Sequence, residues 1–342
     1  MLRLRRDVAT ALDTPEGLRD AVMTAIKLEH STIPPYLYAL YSIEPGTNGE
    51  IADLIRSIVI EEMTHMAFAC NLLNALGGAP VIDVPGFVPD YPGPLPGSVD
   101  KGLQVSLKKV SKEHVHDTFM AIEEPEDPLN FPVARDVEDA HLTIGEFYEK
   151  IKAKMPGAAF GGDAAKQITH QMMSDLFAVT DADSAIAAID LIVEQGEGTK
   201  TSPLDGDDEG DLAHYYRFAE IFHGRKLVKH PDPGLPPDQQ YSYSGEEIVL
   251  DPAGVRDVVD NPKRSSFTTG SEGGLHLFDN FNYTYTSLLK SLHTTFNGAP
   301  GDLDAAIGLM ESCKQQAISL TAFELPGGGF AGPGFLWQPT NP

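Results

Sequence analysis

A Glu-x-x-His spacing that occurs twice in segments with helical periodicity is the feature that most constrains this chain. Glu62 and His65 form one pair, and Glu220 and His223 form the other. Because residues three apart share one face of a helix, the carboxylate and imidazole of each pair can reach one metal ion together. Two such pairs, each joined by a Glu from another helix, match the ligand set of a carboxylate-bridged di-iron or di-manganese site in a four-helix bundle.

The two further carboxylates come from separate predicted helices. Glu29 lies on an apolar stripe with Val22, Ile26 and Ile33, in a helix that opens at Thr14 with Pro at its first position. An isolated Glu is rarely buried without a partner, so this position favours a ligand role. Glu146 is the second candidate. The sequence therefore predicts six metal ligands: Glu29, Glu62, His65, Glu146, Glu220 and His223.

Chance must be weighed against this pattern, because the chain has 11 His and also contains Glu113/His116 and Glu138/His141 at the same spacing. Glu62/His65 lies on an apolar helix face and Glu220/His223 lies among aromatic residues. Glu113/His116 follows several lysines and is typical of a solvated helix. Context therefore favours the first two pairs.

The assignment of Glu146 stays open from the residues alone. Thr143-Ile-Gly-Glu146 also fits a capping box, in which the Glu side chain accepts a hydrogen bond from the Thr143 backbone N–H. Its neighbours Phe147 and Ile151 define a stripe that leaves Glu146 out. Glu138/His141 is the alternative source of this ligand.

Periodicity and breakers predict a mainly α protein: a four-helix bundle over residues 14–228, with insertions at 77–135 and 156–208. A linker and a C-terminal helical extension packed on the bundle would cover 229–342. Pro34-Pro35 is expected to kink or end the first helix. The other helices are predicted at about 50–76, 111–124, 143–155, 167–177, 183–193, 209–228, 275–296 and 302–323, with a short strand at 103–107.

Composition narrows the partners. The net charge of −25 argues against nucleic acid or an anionic membrane surface. Cys70 and Cys313 are interpreted as buried thiols rather than a disulfide. No apolar run reaches the roughly 20 residues of a membrane span, and the N-terminus has no signal-peptide pattern. A cytoplasmic location is expected.

Several segments resemble one known family. Residues 25–41 (AIKLEHSTIPPYLYALY), 60–66 (IEEMTHM), 71–80 (NLLNALGGAP) and 143–148 (TIGEFY) are similar to the ferritin-like domain of iminophenyl-pyruvate dimer synthases. The resemblance covers about 15–228 and implies the same six metal ligands, Glu146 included. Those enzymes couple oxidised aromatic amino acids in bis-indole pigment synthesis, but they are much longer chains, so their substrate does not transfer directly.

Two functions are therefore carried forward. The first is an oxygen-dependent oxidase or oxygenase that holds two iron ions per chain, with manganese as the alternative, and acts with dioxygen on a small amino-acid-derived or aromatic molecule. The second is metal binding without turnover, for sequestration or as a structural centre. A homodimer is compatible with both. The remaining histidines His170, His214, His276 and His293 have no carboxylate at metal spacing and are expected to be structural or surface residues.

Overall fold

Long helices at both ends of the chain and shorter helices between them make up the fold. The computed structural model describes residues 2–98, 102–125, 141–169, 176–199, 202–205, 210–232, 234–236 and 239–340. The helices are α1 Pro15–Ser42, α2 Gly49–Ala75, α3 (α-helical Lys112–His114, π-helical Val115–Met120 and α-helical Ala121–Glu123), α4 Ile144–Lys152, α5 Ala182–Glu197, α6 His214–His223, α7 Glu272–Phe296 and α8 Leu303–Thr321. The expectation of a mainly α protein is confirmed.

Helix α1 starts as its sequence predicts but continues further than expected. The Thr14 side chain accepts a hydrogen bond from Gly17 N at 3.1 Å, and Pro15 is the first helical residue. Pro34-Pro35 does not end the helix. Pro35 has no N–H for the carbonyl of Ser31, and the Tyr91 hydroxyl donates to that carbonyl instead at 2.7 Å. The helix therefore continues without a break to Ser42.

The bundle is built from pairs of helices that cover each other's apolar faces. A six-residue connection joins α1 to α2, and these two helices pack against each other. Helix α3 packs on α6, while α5 contacts both α2 and α6, and α4 packs on α5. Strands are minor: β1 Leu4–Arg5 pairs antiparallel with β2 His141–Leu142, and β3 Val228–Lys229 pairs antiparallel with β4 Tyr241–Ser242.

The C-terminal part of the chain packs on the bundle. Helices α7 and α8 form a pair, and α8 contacts α1. The Asn74 amide of α2 donates to the Phe296 carbonyl at 2.8 Å, and the Tyr38 hydroxyl of α1 donates to the Val259 carbonyl. The proposed boundary at residue 228 stays a prediction. Cys70 and Cys313 are buried free thiols.

Several predicted elements differ in extent or kind from those in the structure. Helix α5 begins at Ala182, with Asp181 and Ser184 forming a capping box, and it extends to Glu197 rather than Val193. Helix α6 covers only 214–223 of the predicted 209–228. In place of a strand at 103–107, Val105 makes a single bridge to Gly93. Most of the predicted 167–177 helix lies outside the described residues, and its described ends are not helical.

Asn71 offers a test of how the inserted segment is attached to α2. Its buried amide donates to the carbonyls of Ile168 (2.8 Å) and Phe177 (3.2 Å) and accepts from Ile168 N (2.9 Å). Asn71→Ala removes all three bonds and leaves buried backbone groups unpaired, so the free energy of unfolding should fall by about 2–4 kcal/mol. Chemical denaturation followed by circular dichroism measures it.

Asp53→Ala on the exposed side of α2 is the matched control. Its ion pair with Arg56 is solvent-exposed, so the change should stay within about 0.5 kcal/mol. Equal effects of the two substitutions would show that the Asn71 bonds do not anchor the segment.

Candidate metal centre

Three carboxylates and two imidazoles from four helices converge in the interior of the bundle. Glu29 comes from α1, Glu62 and His65 come from α2, Glu123 is the last residue of α3, and His214 is the first residue of α6. All five are buried. Burying so many ionisable groups together is costly unless they bind one another or a cation.

Glu62 lies at the centre of this group. Its Oε1 atom is 2.8 Å from His214 Nδ1 and 3.9 Å from His65 Nδ1. Glu29 Oε2 lies 3.6 Å from His65 Nδ1 on one side, and Glu123 Oε2 lies 3.6 Å from His214 Nδ1 on the other. The cluster thus has two halves, each with one outer carboxylate and one imidazole, which share Glu62.

Hydroxyl groups hold the carboxylates in place. The Tyr148 hydroxyl of α4 donates to Glu29, and the Tyr36 hydroxyl of α1 donates to Glu123. The Thr32 hydroxyl lies 2.6 Å from Glu62 Oε2, in hydrogen-bond geometry. Burial, and then the charge of the bound carboxylate, raises the pKa of both tyrosines well above its usual value. Both phenols therefore remain protonated donors.

The two imidazoles are oriented through their outer nitrogens. His65 Nε2 is 2.8 Å from the Gln195 Oε1 atom of α5. His214 Nε2 is 2.9 Å from Glu61 Oε2, and Glu61 in turn forms a two-pronged ion pair with Arg217. In both rings Nδ1 is left facing the carboxylates. This arrangement is typical of metal-binding histidines, whose second nitrogen is bound by a carboxylate or carbonyl group.

The charges of the cluster shift its pKa values in a consistent way. Burial, followed by the nearby charge of Glu123, raises the pKa of Glu62 to about 7. Burial lowers the pKa of His214, but the nearby carboxylates of Glu123, Glu61 and Glu62 outweigh it and raise the pKa well above its usual value. His65 behaves likewise: Glu29 and Glu62 outweigh burial and raise its pKa.

Glu61 differs from these groups. Burial raises the pKa of its carboxyl group, but hydrogen bonds from His214 and Arg217 outweigh this and lower it to about 2. Glu61 therefore stays ionised while Glu62 competes for a proton.

The donors fit divalent transition-metal cations. One ligand atom from each of Glu62, His65 and His214 lies within 4.8 Å of the other two. His214 Nδ1 lies 2.8 Å from Glu62 Oε1 but is buried without a hydrogen bond. A void of about 30 Å³ borders Glu29, Glu62, His65 and Glu123, large enough for one or two water-sized species. Oxygen-rich donors with a minority of nitrogen suit iron or manganese.

Glu197 at the end of α5 lines the same void and is a fourth carboxylate beside the cluster. Its Oε1 atom accepts a hydrogen bond from Gly145 N at 2.9 Å. A Cβ atom at residue 145 would lie 2.6 Å from the other Glu197 oxygen. Glycine at this position therefore lets Glu197 approach the start of α4.

The structure brings together three of the six residues predicted as ligands, namely Glu29, Glu62 and His65. Glu220 lies six residues beyond His214, about 9 Å along α6, and its carboxylate accepts from Leu227 N (2.8 Å) and Lys226 Nζ (3.2 Å). The ring of His223 stacks on Tyr243 at 4.1 Å. This Glu-x-x-His pair therefore serves the end of the helix, not the cluster.

Glu146 is likewise placed elsewhere. Its carboxylate accepts from Thr143 N at 2.9 Å, while Glu146 N donates to the Thr143 hydroxyl at 3.0 Å, which is the capping box that the sequence also allowed. The residue of α4 that reaches the cluster is Tyr148, two positions on and so on a different face of the helix. The rival Glu138 lies outside the described residues, and His141 is described only by its backbone pairing in β2.

Sequence reasoning missed Glu123 and His214. The motif at Glu123-Glu124-Pro125 indicates a helix end, and the π-helical turn of α3, which sets the direction of Glu123, has no sequence signature. His214 was expected to be structural because its carboxylate partners come from other helices. The one available signal was Glu61, the unexplained second carboxylate beside Glu62, which pairs with His214.

Comparison with known proteins places this fold. The sequence profile of the Ferritin-like family matches residues 22–223, which is well over half of the chain and includes all five residues of the cluster. This chain belongs to the ferritin-like family. The match agrees with the helical bundle and with the resemblance carried by its first two helices.

This ferritin-like protein has relatives at low sequence identity. It is 24% identical to dichlorochromopyrrolate synthase of Lentzea aerocolonigenes over 388 aligned residues, which include 95% of this chain and 36% of that enzyme. The chain thus spans about a third of the length of that curated relative. The crystal structure of a ferritin-like protein from Caulobacter vibrioides has a TM-score of 0.60 at 24% identity, covering 88% of this chain and 93% of that one.

The described part of this ferritin-like chain contains no helix suited to span a membrane. None of its helices there combines the length and the apolar character that crossing a bilayer requires.

The pKa shifts predict how the chelator-treated ferritin-like protein responds to pH. Glu62 binds its proton more tightly when folded, so its contribution to stability is lost as pH rises from 4.5 to about 7. The raised pKa values of His65 and His214 give stability that is present below 6.5 and lost as pH rises through the folded-state pKa. Buried His30 and His114 act in the opposite direction, because burial lowers their pKa values to about 3 and about 4. The cluster is therefore tested by the difference in melting temperature between wild-type protein and Glu62→Gln, measured in EDTA at pH 5.5 and pH 7.5.

Glu61 does not oppose this trend, because its lowered pKa affects stability only when pH falls below about 4.5. Glu62→Gln removes one titrating group of the cluster but keeps His30 and His114, so the stability of the wild type relative to this variant should fall from pH 5.5 to pH 7.5. A wild-type melting temperature that rises relative to that of Glu62→Gln over this range would contradict the assigned shifts.

Proposed function

We propose that this protein is a di-metal, oxygen-dependent oxidase or oxygenase, with iron as the metal and manganese as the alternative, acting on a small amino-acid-derived or aromatic molecule. The observation that carries the proposal is the two-sided cluster around Glu62, with one imidazole Nδ1 on each side of a shared carboxylate oxygen. Ferritin-like membership and a distant relative that is a synthase by name support it.

The proposed ligands are Glu29, Glu62 and His65, together with Glu123 and His214. This set keeps half of the sequence prediction. In place of Glu220 and His223 it has His214, which lies against Glu62, and Glu123, which lies against His214. Glu29 and His65 would hold one cation, Glu123 and His214 would hold the other, and Glu62 would bridge them. With Glu197 beside the void, four carboxylates can balance two divalent cations.

Bound iron would supply the redox chemistry that activates dioxygen. The side chains of this chain do the positioning. Tyr36 and Tyr148 donate to the two outer carboxylates, and Gln195 fixes the ring of His65. The Glu61–Arg217 ion pair keeps His214 Nε2 engaged, which leaves Nδ1 directed at the centre.

One observation favours metal binding without turnover as the second candidate. The void at the cluster is about 30 Å³, which holds water-sized species but not an organic molecule. An enzyme would have to open this site, for example at the apolar residues Leu2, Leu95 and Ile144 that border it. A sequestering or structural centre needs no such opening.

Metal analysis tests the ligand set. Wild-type protein loaded with Fe(II) without oxygen and then desalted should carry about two metal ions per chain. Glu62→Ala should lose most of both, since the shared carboxylate contacts both halves. Glu123→Ala and His214→Ala should each lose about one ion. Inductively coupled plasma mass spectrometry measures the content.

Glu220→Ala and His223→Ala are the matched controls, because they change the same residue types in the same helix as His214. They should retain the wild-type metal content. Loss of metal in these controls but not in Glu123→Ala and His214→Ala would favour the original sequence assignment instead.

Oxygen chemistry separates the two candidate functions. An Fe(II)-loaded oxidase should consume dioxygen and convert aromatic 2-amino or 2-imino acids, with the rate falling at least tenfold in Glu62→Ala because the proposed cofactor is lost. An oxygen electrode and mass spectrometry of the products measure both. Oxygen uptake without any product across this substrate class would support binding without turnover.

A further inference from the structure

A large cavity lies on the opposite face of α1 and α2 from the metal centre. It has a volume of about 710 Å³, and helices α7 and α8 close it from the other side. On α1, Glu29, Thr32 and Tyr36 face the cluster, whereas His30, Ile33 and Leu37 line the cavity. On α2, Glu62 and His65 face the cluster and Met63 and Met66 line the cavity. Among the described residues, none lines both spaces.

The size and walls of the cavity match a small-molecule site. Ligand pockets usually measure about 300–1,000 Å³ and have mainly apolar walls. This one is lined by aliphatic residues such as Leu289, Leu292 and Ile307, together with three flexible methionines, including Met310. Apolar walls of this extent cost free energy when they face water, and a bound molecule would recover it.

His30 supplies the single polar feature that points to a ligand. It is 4% exposed, and its Nε2 atom is 2.9 Å from the Tyr285 hydroxyl of α7. Its Nδ1 atom is buried without a hydrogen-bond partner. A phenol is the stronger donor of the two groups, so with the Tyr285 O–H donating to Nε2, Nδ1 carries the proton. A ligand oxygen would satisfy this otherwise unpaired N–H.

The chemistry of the walls selects the class of ligand. The basic residues in the lining, Arg56, Arg256 and Lys314, each pair with a carboxylate of the chain. A charged ligand group beside His30 would therefore be desolvated without a free counter-charge. The walls are more aliphatic than aromatic, and methionines adapt to flexible chains. An uncharged aliphatic molecule with one oxygen fits better than a carboxylate.

The mouth of the cavity argues against a protein partner. Its exposed residues include Asp53 with Arg56 and Glu311 with Lys314, each already joined in an ion pair within one helix. The cores of protein–protein interfaces are depleted in such charges. We propose that this cavity binds a neutral, mainly aliphatic small molecule whose oxygen accepts a hydrogen bond from His30 Nδ1. The site is separate from the metal centre and does not depend on the proposed oxidase function.

Titration calorimetry with 1-decanol and decanoate tests this proposal on the full-length, metal-loaded protein. Saturable binding of 1-decanol with one site per chain is expected, and decanoate should bind at least tenfold more weakly, since its charge would be buried. Met310→Trp places extra bulk inside the cavity and should weaken 1-decanol binding about fivefold or more. Ala305→Trp, at an exposed position of the same helix, is the matched control and should bind like the wild type.

His30→Phe keeps an aromatic wall but removes the N–H. It should weaken 1-decanol binding about five- to tenfold, the usual effect of one hydrogen bond. Metal content is measured in every variant, so a defect of the metal centre is recognised independently of alcohol binding.

Three results would overturn the proposal. The first is the absence of saturable 1-decanol binding, and the second is 1-decanol binding that Met310→Trp leaves unchanged. The third is a concentration-dependent dimer, seen by analytical ultracentrifugation, that Met310→Trp disrupts; the occupant of this face would then be a second copy of the chain.

Discussion

The shared carboxylate of Glu62 is the constraint on which the rest of the bundle depends. It is buried between two imidazoles and two further carboxylates, and an ionised group in that position is stable only with compensating charge or hydrogen bonds. The surrounding helices hold the groups that contact Glu62 or lie beside it: Tyr148 of α4 donates to Glu29, Gln195 of α5 binds His65, and Arg217 of α6 acts on His214 through Glu61. Helices α4 and α5, which supply none of the five clustered residues, therefore still help to position them.

Helix geometry explains how distant segments meet at one point. Tyr91 satisfies the carbonyl that Pro35 leaves unpaired, so α1 continues as a helix past Glu29 and Thr32 to Tyr36, which binds Glu123. The π-helical turn of α3 changes the angular position of the residues that follow it, and Glu123 ends that helix facing His214. Such turns are frequent at functional sites because they rotate a side chain without breaking the helix.

The sequence predicted the elements that carry strong periodicity and failed where contacts between helices decide. The Thr14 cap, the long α2 helix and the Glu29–Glu62–His65 half of the site follow from local spacing and apolar stripes. Glu220 and His223 have the same spacing, but Lys226 and Tyr243 engage them locally. His214 and Glu123 gain their role only through residues on other helices, which spacing along one helix cannot reveal. Glu146 was compatible with either a metal-ligand role or a capping box, and in the structure it forms the capping box with Thr143.

Neighbouring residues of α1 and α2 serve two environments of opposite polarity. Glu29 and His30 are adjacent in sequence, yet one side chain enters the carboxylate cluster and the other enters the aliphatic cavity, because successive helical residues point about 100° apart. The two helices thus form a layer, one helix thick, between a charged centre and an apolar space. A ligand that pressed on His30 or Met63 would act on the same turns of helix that hold Glu29 and Glu62. These turns are the shortest covalent connection between cavity and cluster, since no described residue lines both spaces.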